Sequence, residues 1–108
     1  MNVSIQPGFD PKLLKQVGGM LPDLEEALGV ARDRVSIVWT PVPTQNGQAA
    51  QLQITDHDVS RSDNLTADDF ARENRAYFRM SRLWDSILAE RGRLIAVRIR
   101  ESLAEEKQ

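Results

Sequence analysis

A chain of 108 residues is long enough to bury one core and too short for two, so a single domain spanning 1–108 is expected. Its 41% hydrophobic and 28% charged content is that of an ordinary soluble domain, and with no cysteine it has no disulfide framework, thiolate nucleophile or zinc–thiolate site. The net charge of −2 argues against wholesale nucleic-acid binding, but it is unevenly spread, at −3 over residues 1–65, +3 over 66–100 and −2 over 101–108.

The first residues show neither a basic start nor an apolar run, so no signal peptide is read there and a cytoplasmic location is expected. No stretch approaches the roughly 20 apolar residues that span a bilayer, so no membrane partner is expected. Asp10-Pro11 reads as an N-cap followed by proline at the first helical position, giving a short helix over 11–17 that stops at Gly18. Pro22 and the acids Asp23, Glu25 and Glu26 open a second short helix, closed by Gly29. Neither is long enough to stand alone, so both must dock on something.

Val35, Ile37 and Trp39 alternate with Ser36, Val38 and Thr40, which predicts a strand over 34–40 ended by Pro41 and Pro43. After the turn dipeptide Asn46-Gly47, Ala50, Leu52 and Ile54 alternate with Gln51, Gln53 and Thr55 in a second strand, antiparallel to the first. Its polar alternate face implies that one side of the sheet meets water. Residues 56–64 read as a polar loop.

A long helix is expected over 66–91. Thr66 is its N-cap, Asp69 a short-armed capping-box acid, and Leu65 and Phe70 stand where a hydrophobic staple would clasp. Neither proline nor glycine interrupts the run until Gly92, which is read as the stop. At about 100° per residue, Phe70, Tyr77, Met80, Trp84, Ile87 and Leu88, with Ala76 and Leu83, form the stripe expected to be buried. Arg72, Arg75, Arg79 and Arg82 share another arc, and Phe78 belongs to neither set. Leu94 to Ile99 then reads as a third strand, with a helical alternative because Ile95, Ile99 and Leu103 are four apart. The expected fold is α+β in the order α-α-β-β-α-β, a mostly antiparallel three-stranded sheet packed against one long helix.

Four arginines on about three turns make a compact positive strip that suits a phosphate backbone, although a charge row is more often a solvated or salt-bridged face. The Asp56-His57-Asp58 segment holds the only histidine. Its neighbouring groups do not converge as metal ligands must, and a general base there would need a nucleophile that the sequence does not identify. No metal or other cofactor is expected. Trp39, Trp84, Tyr77 and Phe70 read as core rather than as a ligand pocket. Phe78 suits a helix–helix contact with a protein partner or a second copy of the chain. The leading functional expectation is therefore a non-enzymatic interaction or assembly module acting through the long helix. Polyanion binding through Arg72, Arg75, Arg79 and Arg82 is the alternative, and a small enzyme using His57 ranks last.

Overall fold

Ile37 and Trp39 on one strand face Ile54 and Leu52 on the next, and these four side chains form the middle of the sheet. The computed structural model describes residues 1–106. The central hairpin joins β2 (Ser36–Thr44) to β3 (Gly47–Asp56), in a register that sets Trp39 beside Leu52 and Ile37 beside Ile54. Their inward side chains are almost fully buried, while Gln51, Gln53 and Thr55 look outward, so one face of the sheet meets water as the alternation implies.

Two further strands make the sheet four-stranded and mixed, in the order β1-β2-β3-β4. β1 (Asn2–Ile5) runs parallel to β2, and β4 (Val59–Leu65) runs antiparallel to β3. The expectation of three mostly antiparallel strands is corrected on both edges. β1 is only four residues long and has two apolar side chains, too little for periodicity to register. β4 reads as a loop because its inward positions, Val59, Arg61, Asp63 and Leu65, include two charged residues. Inward-pointing charges on an edge strand discourage further strand pairing, a reason for polar sequence in such a place.

Pro41 and Pro43 lie within β2 instead of ending it. The carbonyl of Trp39 accepts from Gln6 N–H, so odd-numbered residues of β2 turn their backbone groups toward β1. β1 stops at Ile5, and the missing proline N–H groups fall beyond it, where no ladder bond is lost.

The helices cover the inward face. α1 (Pro11–Gly18) starts as expected, with the Asp10 carboxylate accepting from Leu13 N–H at 2.8 Å, and α2 is Leu21–Leu28. Gly29, at φ 58, turns the chain out of α2. Thr66 and Asp69 form the expected capping box at the start of α3 (Ala67–Ala71). The single rod expected over 66–91 is broken there, because Arg72 is extended and Asn74 sits at φ 63 before α4 (Arg75–Glu106) begins. Asparagine is the non-glycine residue that best tolerates this left-handed conformation, and the search for glycine and proline alone passes over it.

α4 then continues without interruption through Gly92 and through the residues expected to form the third strand. A mid-helix glycine costs only about 1 kcal/mol, and ion pairs from Arg91 to Asp56 and from Arg98 to Asp58 fasten the helix on both sides of it. Its 32 residues rise about 48 Å, and the molecule is correspondingly drawn out to 60 × 27 × 22 Å. Ala76, Met80, Leu83, Trp84 and Ile87 are buried from this helix, with Phe70 and Tyr77 packed at the margin of the core. Leu88, expected in the same stripe, is instead exposed. The buried arc is centred on Ile87 and ends at Trp84, and Leu88 lies about 100° from Ile87, just outside that edge.

Candidate functional site on the outer face of the long helix

Turning α4 at about 100° per residue places Phe78, Leu88, Gly92, Ile95, Ile99 and Leu103 within one arc of about 100°, which begins just beyond the buried Trp84 and runs round to the outer side. The five large side chains among them are 42% to 63% exposed. Singly exposed apolar residues are ordinary, but a run of them along a helix is not; here the run is Leu88 to Leu103, with Phe78 set apart from it by Ser81 and the exposed Asp85. Beyond Leu94 the helix has little of its own sheet beneath it, and Ile99 and Leu103 are bare. The sequence places Phe78 off the buried stripe, and the structure leaves it exposed. The larger part of the stripe, 88–103, lies in the segment expected to end as helix and resume as strand.

Beside Phe78 lies the arginine row, the rim of a shallow depression of about 820 Å³. Arg79 is the most constrained of the four. Its Nε and Nη2 donate to Asp63 at 2.9 and 2.7 Å, and its Nη1 donates to Asp69 at 2.9 Å. The hydrogen bonds to Asp63, with the charges of both carboxylates, hold its proton more tightly than usual. Arg75 meets the other oxygen of Asp69 at 2.8 Å, and Arg72 pairs in the open with Asp68 at 3.0 Å. Arg82 makes no ion pair among the described residues.

Asp69 is buried, and burial alone would push its carboxyl up. The Thr66 backbone and hydroxyl, followed by the charges of Arg79 and Arg75, outweigh that and leave it below the ordinary carboxylate value. The row is thus interleaved with Asp63, Asp68 and Asp69, and its field toward a distant anion is reduced accordingly.

At the other end of the sheet a second fastening was missed from sequence. Asp56 is fully buried and accepts from Arg34 Nε at 3.2 Å and from Arg91 Nη1 at 3.0 Å. Burial opposes its ionisation, but Arg34 and then Arg91 more than compensate and hold its pKa low. The available signal was parity, since Asp56 follows Leu52 and Ile54 on the inward face, where a carboxylate needs a partner.

His57 occupies the first position of the tight β3–β4 turn at φ 54, exposed, with Nε2 3.7 Å from Asp56 Oδ1. The Ser60 hydroxyl pairs with Thr55, not with His57. Among the described residues no three His, Asp or Glu side chains gather as a metal set would, and no helix is long and apolar enough to cross a membrane. Trp39 and Trp84 are buried in the core, and Trp39 also lies at the floor of a cavity of about 550 Å³ lined by β1, α1 and α2.

Comparison with protein-family models, with curated proteins and with solved structures finds no match for this chain. The functional reading therefore rests on the geometry alone.

Proposed function

We propose that this protein is a non-enzymatic interaction module whose docking surface is the outer face of α4, self-associating or binding a protein partner there. The observation that carries the reading is the stripe Phe78, Leu88, Ile95, Ile99 and Leu103, exposed along a helix that outruns its own sheet. Leaving that much apolar surface in water has a free-energy cost of about 25 cal/mol for each Å², which a partner surface would recover.

The test is a double substitution, Ile95→Glu with Ile99→Glu. Ile95 and Ile99 are about half exposed and stand outside the core cluster, so at low protein concentration the variant should stay close to the wild-type thermal midpoint while it binds less of an environment-sensitive apolar dye. A large loss of stability would mean that the two isoleucines belong to the core, and the reading would fall.

Polyanion binding through Arg72, Arg75, Arg79 and Arg82 is a second reading, supported by Arg82 beside the exposed Phe78 at the rim of the depression. It predicts heparin binding that weakens steeply with added salt and is lost on charge reversal at Arg82. A flat titration at low salt would dismiss it.

A further inference from the structure

We infer that the recess between β1, α1 and α2 is a binding site for a small, uncharged, largely apolar molecule. It lies away from the outer face of α4 and does not depend on the docking-surface reading.

The two strands at this edge of the sheet are covered unequally. Val3 and Ile5 stand in register with Ile37 and Trp39, so all four point to the face of the sheet that carries the helices. Ile37 and Trp39 are 0% and 1% exposed, whereas Val3 and Ile5 are 37% and 44% exposed. The helices therefore close over β2 and stop short of β1.

The space left is a recess of about 550 Å³, with Val3 and Ile5 on one wall, Val17, Leu21 and Leu24 on the other, and Trp39 at the floor. Leu21 is also 43% exposed. Gly18 adds to the opening, since a β-carbon there would meet nothing within 4 Å. Close-packed interiors leave few voids wider than a water molecule, so this is apolar space that the chain's own packing has not used.

Scale and charge select the occupant. Small-molecule sites enclose about 300–1,000 Å³ and are mostly apolar, with a few polar groups. A stable protein interface takes about 800 Å² from each side, more than the mouth of a recess between a four-residue strand and two eight-residue helices supplies.

The charged groups lie at the mouth and cancel. Glu25 and Arg32 line it without an ion pair among the described residues, and Asp33 is met by the Met1 amino group at 3.9 Å. Two cations thus stand against two carboxylates. A ligand with a net charge would gain little there for the hydration it gives up. An uncharged molecule loses least on entry, and its apolar body meets the aliphatic walls and the Trp39 ring.

The test uses N-phenylnaphthylamine, an uncharged dye that fluoresces in apolar surroundings. Its emission is read in the wild-type chain. Trp84→Phe, which leaves Trp39 the sole tryptophan, then places the bound dye by quenching of Trp39. The dye should saturate near one equivalent and raise the thermal midpoint as its concentration rises. Leu21→Glu puts a charge in the wall and Gly18→Leu fills the space, so each should weaken dye binding about tenfold or more. Both variants should still fold, because Leu21 is partly exposed and Gly18 is not held at positive φ. Ile95→Glu with Ile99→Glu should leave this binding in place. Octanol should displace the dye, and octanoate and octylammonium should do so no better.

Dye binding that persists in both folded wall variants, or that vanishes with the α4 substitutions, would overturn the inference. Octanoate or octylammonium acting at lower concentration than octanol would overturn the assigned class. Binding lost as the protein is concentrated would show that a second copy fills the recess instead. None of these results touches the thermal midpoint of the Ile95→Glu, Ile99→Glu chain, so this inference and the docking-surface reading fail separately.

Discussion

Replacing Asp69 with alanine removes both halves of a capping box and the shared anion of Arg75 and Arg79 in one step. The capping contribution is about 1 kcal/mol. Arg75 and Arg79 are 46% and 35% exposed, so solvent screening limits each pair to about 0.5–1 kcal/mol. The larger penalty of a stranded buried charge does not apply, because Arg79 keeps both hydrogen bonds to Asp63 and Arg75 reaches water.

The expected loss at neutral pH is therefore about 2–3 kcal/mol, or roughly 10 °C in midpoint for a domain of this size. Asp69→Asn retains an acceptor for the Thr66 N–H and should lose about half as much. The carboxyl is held below its ordinary value in the folded chain, so its contribution is complete above about pH 4 and fades as pH falls through the folded pKa. The assay is urea unfolding across that pH range, followed by circular dichroism and by the combined fluorescence of the two buried tryptophans, Trp39 and Trp84. A neutral-pH loss below about 0.5 kcal/mol, or a difference between wild type and alanine variant that does not narrow in acid, would refute the account.

Gly92→Ala should raise stability by about 1 kcal/mol, because the added methyl meets open space inside a continuous helix; destabilisation would restore Gly92 as a helix end. At the break before α4, Asn74→Gly should be nearly neutral and Asn74→Ala should cost about 1 kcal/mol in thermal unfolding. Equal behaviour of the two variants would count against the left-handed conformation. Asp56→Asn should destabilise at neutral pH and approach wild type in acid, since its folded pKa is also lowered. An Asp56→Asn deficit that grows below about pH 4 would show the sign to be wrong.

Where residue identity alone decides a local conformation, the sequence was readable. The Asp10-Pro11 start, the Thr66–Asp69 capping box and the Ile37/Trp39 and Leu52/Ile54 alternations all appear in place. Phe78, off the buried stripe, is exposed as its position implies. The failures occur where tertiary partners outweigh local preference. β4 hides because Asp63 points inward to meet Arg79, a contact between residues 16 apart that no periodicity contains. The residues Leu94 to Ile99 carry strand-forming side chains, yet they continue a helix already under way, with Arg91 and Arg98 tied to Asp56 and Asp58. The stripe from Leu88 to Leu103 became legible only once that segment was helical, since its members share a face at a period of 3.6 and not at a period of two.

Arg79 and Arg91 stand twelve residues apart on α4, about 18 Å along its axis, on opposite flanks of the buried line. Each is bolted to a carboxylate of the sheet, the first to Asp63 of β4 and the second to Asp56 of β3. A shaft fixed at two heights and on two sides can neither roll nor slide. The free end beyond the second bolt therefore keeps one azimuth, and whatever approaches it meets the same side of the rod every time.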